Sequence, residues 1–166
     1  MKKLYIHSFV SRIGRLRLAA TGIGLAIISL PRQSQKEFDR YVRRFFPRHE
    51  IVRGGAVTRE AERQIRAYLA GRLHRFHLPL DIQATPFQKK VLQRVKRIPY
   101  GSTVTYGDLA KAVGHPGASR AVGTANSRNN LPLVVPCHRV VAKGGLGGYG
   151  GGLELKKRLL KMEGAL

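Results

Sequence analysis

The chain has 166 residues, with 31 lysines and arginines against nine aspartates and glutamates, a formal net charge of +22 at neutral pH. Repulsion on that scale opposes compaction and calls for a polyanionic partner, for which nucleic acid is the first candidate. One cysteine excludes internal disulfides and multi-cysteine zinc clusters, and no apolar run is long enough to span a bilayer as a helix.

In chain order, Leu4, Tyr5, Ile6, Phe9 and Val10 read as a strand. Arg12, Arg15 and Arg17 precede an apolar run over 18–30 that resembles an export signal, but Thr21-Gly22-Ile23-Gly24 interrupts it. A hairpin with strands near 15–20 and 25–30 fits better, and the protein is expected to be cytoplasmic. Phe38, Tyr41, Val42 and Phe45 recur at helical spacing over 34–46, and Pro47 ends that helix. A second helix is expected over 58–70, with Thr58 as N-cap and Gly71 at its end. Residues 77–83 read as a short strand. His7, His49, His74 and His77 lack metal-like partners, so no metal is expected.

Composition changes near Ala84. Thr85 caps a helix over 87–95, Pro86 takes its first position, and Phe87, Val91 and Val95 share a face. After the break at Ile98-Pro99-Tyr100-Gly101, helices over 105–113 and 118–127 flank a glycine-containing turn, a helix-turn-helix pattern. The second presents the small residues Ala118, Ser119, Thr124 and Ala125, with Arg120 as its long cation, a surface that either approaches a nucleic-acid groove or packs on another helix. Seven of the ten residues over 143–152 are glycine, without the Gly-Lys-Ser/Thr ending of a phosphate-binding loop, which disfavours a nucleoside triphosphatase. An amphipathic helix, Leu153–Met162, closes the chain with Glu163 near its end.

The sole cysteine lies in Val134-Val135-Pro136-Cys137-His138-Arg139-Val140-Val141. An ordinary thiol has a pKa of about 8.5, so a nucleophilic role needs a base, a cation or a helix N-terminus beside it. His138 is next in sequence, but neighbours on an extended strand point to opposite faces, so the chain must turn there or a water must bridge. Pro136 favours a turn, and Glu163 is a candidate to orient the histidine in a Cys–His–Glu relay. This chemistry fits a cysteine hydrolase equally well.

Residues 85–164 resemble the O6-alkylguanine-DNA alkyltransferases. The likeness runs through Thr85-Pro86-Phe87-Gln88, Ile98-Pro99-Tyr100-Gly101, Val104-Thr105-Tyr106, Arg120-Ala121-Val122-Gly123, Asn129, the Pro-Cys-His-Arg-Val-Val segment, Gly151-Gly152-Leu153 and Glu163-Gly164. Residues 1–84 resemble the family's variable N-terminal domain in layout alone. The resemblance implies an α+β protein of two domains. Residues 1–84 would form a small sheet with helices in a ribonuclease-H-like layout, and residues 85–166 a mainly helical, winged-helix-like domain.

It further implies single-turnover transfer of an alkyl group from O6-alkylguanine, with O4-alkylthymine left open, in duplex DNA to Cys137. His138 acts as base through a water, Glu163 as its partner, Asn129 as a brace and Tyr106 as donor to the departing base. Arg120, Tyr106, Ala118, Ser119, Thr124, Ala125 and Arg128 would bind DNA from the minor groove, with Arg120 filling the gap left by the flipped base. Val140, Tyr149, Gly150 and Pro132 would line the base pocket, where the carbonyls of Cys137 and Val140 accept from the guanine amine. No cofactor and no membrane contact are implied. A monomer is expected, with cooperative loading on DNA left open. The chain departs from the family pattern at Asn130, usually proline, and at Gly150, often serine. The alternatives are a non-catalytic alkylated-DNA-binding protein, which Cys137 argues against, and the hydrolase, which leaves +22 and the helix-turn-helix unexplained.

Overall fold

In the computed structural model, which describes all 166 residues, the chain divides into two units, Met1–Gln83 and Ala84–Leu166. Both mix helix and sheet, so the fold is α+β.

In the first unit, β1 (Lys3–Ser11), β2 (Gly14–Ala20) and β3 (Leu25–Ser29) form an antiparallel meander. A fourth strand, β4 (Glu50–Arg53), adds parallel to β1, giving the order β3-β2-β1-β4. The sequence expectation missed β4, because its four residues carry no apolar alternation and sit on a sheet edge with three of them exposed. Helix α1 (Gln35–Phe45) begins in a reciprocal cap: Ser34 accepts from the Glu37 amide and Glu37 from the Ser34 amide. Its Phe38 joins Leu4, Ala19, Ala26, Ile27 and Phe46 in an apolar core. Helix α2 (Ala56–Leu69) lies on the opposite face, where Arg66 stacks over Phe9 and Glu62 meets His7.

Two expectations in this unit need correction. The N-cap of α2 is Gly55 and not Thr58, whose buried hydroxyl donates to the carbonyls of Gly54 (2.7 Å) and Gly55 (3.0 Å). Gly55 has φ +104°, and a Cβ there would lie 2.9 Å from Tyr5, so a side-chain cap has neither the backbone nor the room. Residues 77–83 are not a strand. Leu80 alone bridges Leu25, through Leu25 N–H to Pro79 O and Asp81 N–H to Leu25 O, both 2.8 Å.

The second unit starts with α3 (Pro86–Val95), whose capping box of Thr85 and Gln88 and first-position proline follow the sequence reading. Helices α4 (Tyr106–Ala112) and α5 (Ser119–Ser127) flank a turn in which Gly114 and Gly117 take positive φ. A short parallel pair, β5 (Val104–Thr105) and β6 (Val140–Val141), carries the chain past Cys137, and α6 (Leu153–Met162) packs behind it. No helix is long and apolar enough to cross a membrane.

Candidate active site

The run from Leu131 to Val140 is buried throughout, which explains its density of Leu, Val and Pro and includes Pro132. Within it the chain turns, as nucleophile and base at adjacent positions require. Pro136 (φ −80°, ψ 66°) leads into a single 3-10 turn, Cys137–Arg139, closed by the Arg139 N–H to Pro136 O at 2.9 Å. The turn points the Cys137 and His138 amides at the sulfur, where both favour the thiolate.

Asn129 ties the approach to this turn. Its Nδ2 donates to Val135 O (2.8 Å), its Oδ1 accepts from Leu131 N–H (2.9 Å), and its side chain also hydrogen-bonds the thiol. Leu133 in the loop between takes φ +75°, a conformation leucine adopts only when its surroundings hold it there. Asn130 makes no comparable bond and leaves the bracing to Asn129.

Beneath the turn lies a buried charge cluster. His138, fully buried, meets Glu163 through Nε2 and Oε2 at 2.9 Å. Arg139 clamps both oxygens of the same carboxylate, each at 2.9 Å, and donates to Ile98 O at 2.7 Å. The sequence motif around Arg139 gives no sign of that clamp. Lys156 was missed as well. It is fully buried, and its ammonium donates to Val140 O (2.7 Å) and Gly148 O (3.0 Å). The signal was present: Lys156, Leu159, Leu160 and Glu163 recur at helical spacing, so both charged groups stand in the apolar stripe of α6. Asn126, also missed, donates from Nδ2 to Cys137 O at 3.3 Å.

The electrostatics follow from burial and charge count. Burial pushes the Cys137 thiol up, against the Asn129 hydrogen bond, the positive charge of Lys156 and the two amides. Burial likewise holds His138 below its ordinary value, despite Glu163, so its imidazole is neutral at neutral pH. Lys156 is pushed down to about 8 by burial, with Cys137 opposing. With the thiol protonated, Arg139, Lys156 and Glu163 sum to one positive charge, and loss of the thiol proton brings the cluster to neutrality. The site is poised for a thiolate that forms on demand.

Tyr106 leads α4 and is half-buried. Its hydroxyl accepts from the Gly148 N–H, burial raises its pKa, and its ring lies against Gly123 of α5. Tyr149 stands edge-on to His138, ring centroids 6.3 Å apart, and its buried hydroxyl has no protein partner. Gly150 is exposed, and a Cβ there would meet nothing within 4 Å.

On α5, Arg120, Thr124 and Arg128 are exposed along one side and Ala118 and Ser119 are half-buried at its start. Ala125, expected on the outer face, is 2% exposed. It shares the inward side with Val122 and Asn126, one turn apart, so it packs inside and Ala121 takes the outward place. The Cys137 and Val140 carbonyls are both engaged within the protein. Cys137 O accepts from Asn126 and from the Val140 N–H, and Val140 O accepts from Lys156 and keeps a lone pair beyond it.

A buried cysteine over a His–Glu pair, within one unit that also carries an exposed basic helix-turn-helix, defines a nucleic-acid-directed group-transfer protein. The family model described as 6-O-methylguanine DNA methyltransferase, DNA binding domain, matches residues 86–165. The chain is 44% identical to a methylated-DNA–protein-cysteine methyltransferase of Methanosarcina acetivorans over 98% of its own length and 99% of that protein. It is 54% identical to one of Mycobacterium leprae over 63% of its length and 64% of that protein. Its fold matches the crystal structure of Mycobacterium tuberculosis OGT in complex with DNA with a TM-score of 0.83, at 37% identity, covering 97% of this chain and 93% of that one. The chain belongs to the methylated-DNA–protein-cysteine methyltransferase family.

Proposed function

We propose that the protein repairs alkylated DNA by transferring the alkyl group of O6-alkylguanine to Cys137, once per molecule. The observation that carries this reading is the buried Cys137 turn over His138, Glu163 and Arg139, in a fold shared with an OGT–DNA complex. The thiol proton leaves through a water to neutral His138, whose developing charge Glu163 balances. The thiolate attacks the alkyl carbon in line, the C–S bond forms as the O6–C bond breaks, and the electron pair stays on guanine. Tyr106 donates a proton to the departing base. The resulting thioether has no facile reversal, so the protein is consumed.

Exposed Arg120, Thr124 and Arg128 support duplex binding through α5 from the minor groove, with Arg120 holding the place of the flipped base and Ala118 and Ser119 allowing close approach. The free lone pair of Val140 O suits it to the guanine amine, and Asn126 holds the Cys137 carbonyl in place. Pro132 and Tyr149 wall the pocket, and the unpartnered Tyr149 hydroxyl supports a substrate contact there. Open space at Gly150 suits bulky alkyl groups. The sheet order β3-β2-β1-β4, with β4 parallel to β1, supports a ribonuclease-H-like first unit. The helix-turn-helix with the β5–β6 pair supports a winged-helix-like second. We read the protein as a DNA-associated monomer.

The decisive experiment is intact-protein mass after incubation with duplex DNA carrying O6-methylguanine. The wild type should gain one methyl group, saturating at one per chain, and Cys137→Ser none. Tight binding with no mass change in the wild type would overturn the reading.

A further inference from the structure

The first unit holds a cleft that alkyl transfer does not use. A cavity of about 410 Å³ opens between the sheet and α1, lined by Ile6, Ser8, Arg17, Gln35, Phe38 and Arg53, with His7 and Gly54 at its edge. Strand register puts the two arginines on one face: Arg17 pairs with Ser8 and Arg53 with Ile6. Arg15, two residues before Arg17 on the same side of β2, donates to Ser8 Oγ at 3.2 Å. Arg17 is held by Gln35 Oε1 (2.9 Å) and Gln33 O (3.1 Å), which fixes its guanidinium against the α1 wall. Arg53 is exposed, with no hydrogen-bond or ion-pair partner. No carboxylate lines the cleft; Asp39 accepts from the Gln35 amide (2.9 Å) and stays outside the lining.

Resting on the DNA-repair reading above, we propose that this cleft is a second phosphodiester site, which grips the backbone of nucleic acid through the first unit. The planar guanidinium fork of Arg53 matches phosphate oxygens two at a time, while Arg17 adds its charge and remaining N–H groups and Ser8 a hydroxyl. The cavity admits a phosphate group with its flanking sugars. The aromatic neighbours are committed elsewhere, Phe38 in the core and His7 stacked on Phe9 and paired with Glu62, so the cleft offers no platform for a base. A backbone phosphate therefore fits it better than a free nucleotide. Part of the +22 charge thereby acquires a defined address in a unit without catalytic residues.

The test is a salt titration of binding to unmodified duplex DNA by fluorescence anisotropy. Each phosphate that the protein no longer neutralises lowers the log–log salt slope by about 0.9. Arg53→Ala should flatten the slope by about one phosphate's worth and Ser8→Asp by at least as much, while Arg53→Lys keeps most of it. Arg40→Ala, which removes an exposed α1 arginine outside the cleft, should leave the slope as in the wild type. All variants should transfer the alkyl group of free O6-benzylguanine at the wild-type rate, which verifies the fold. Equal slopes for the wild type and Arg53→Ala would overturn the inference. So would an equal flattening in Arg40→Ala, which would mean general surface basicity. Inorganic pyrophosphate tested without DNA gives the remaining arm: stabilisation by pyrophosphate with an unchanged DNA slope would assign the cleft to a free phosphate compound and overturn the nucleic-acid version. Failure of the repair reading would appear separately, as a missing methyl gain on Cys137 in a protein that still shows the Arg53-dependent slope.

Discussion

The two units handle ionisable side chains in opposite ways. In the first, the ion pairs lie at the surface: Arg63 and Glu60 bridge across one turn of α2, and Glu62 is shared between Arg66 and His7. Its core cluster is wholly apolar. In the second, His138, Arg139, Lys156 and Glu163 are all buried around one cysteine. Taking charges out of water costs several kcal/mol per ion before any pairing, and apolar residues in the same space would often be as stable or more so. A fold that accepts this cost only around its nucleophile is spending stability on chemistry.

The sharpest way to break this comparison is to remove one carboxylate from each unit. Glu163→Gln leaves Arg139 buried and half-satisfied and deprives His138 of its partner, so a loss of about 3–5 kcal/mol is expected. Glu60→Gln removes a solvent-screened surface pair and should leave stability nearly unchanged. Urea unfolding midpoints measure both. Equal effects would mean that the buried cluster is no more committed than the surface pairs.

Next in size is Lys156. It holds Val140 and Gly148 in place and lends a positive charge to the thiolate. Loss of that charge raises the Cys137 thiol further, so Lys156→Met should slow transfer to free O6-benzylguanine about tenfold near neutral pH. The pH profile carries the more specific signature. In the wild type the climb of the rate with pH should flatten above about 8, where Lys156 loses its proton and its support of the thiolate. In the variant that flattening should vanish. Its persistence would transfer the role to another group.

A smaller effect belongs to His138. Burial holds its folded pKa below the ordinary 6.5, so above pH 6.5 it is neutral in both folded and unfolded chains and costs nothing. As pH falls below 6.5 the unfolded chain takes up a proton that the folded chain refuses, and stability is lost. Below pH 6.5 the wild type should lose stability more steeply than His138→Gln. Denaturant midpoints across that window decide it; parallel curves would mean that His138 is charged in the folded protein.

Much of the local architecture was legible in the sequence because the signals are local. Thr85-Pro86 with Gln88 marks a helix start by its own chemistry, and Gly114 and Gly117 mark the turn between α4 and α5 by their positive φ. Pro136-Cys137-His138-Arg139 signalled the site and its need for a turn. What escaped was set by tertiary neighbours. The apolar stripe of α6 marks Lys156 as buried, but its acceptors, carbonyls from β6 and the glycine loop, are tertiary neighbours. Arg139 carries no clue to its acceptors, one 24 residues later and the other 41 residues earlier. Ala125 suits either face of α5, since small residues fit a groove or a core alike, and here the core has it. β4 exists because β1 offers it an edge.

The smallest expected effect concerns Gly150, which tests how far the buried side of the site, and not its mouth, sets substrate choice. The backbone at Gly150 does not require glycine: its φ lies outside the left-handed range, and a Cβ there would stand in open space. Gly150→Ser should therefore fold like the wild type and place a hydroxyl at the edge of the pocket, close in sequence to Tyr149 and to the Gly148 peptide that Tyr106 and Lys156 hold. A methyl group is too small to meet it. A benzyl group is not, and differences of one or two heavy atoms in an apolar pocket are worth about 1–3 kcal/mol when fully enclosed, and less at an open mouth. Single-turnover rates on O6-benzyl- and O6-methylguanine duplexes should then show the benzyl-to-methyl ratio falling a few-fold, with the methyl rate itself nearly unchanged. An unchanged ratio would mean that position 150 has no part in alkyl-size selection. A fall in both rates together would instead mean that the added side chain disturbs the Gly148 peptide, and with it the two groups that peptide connects.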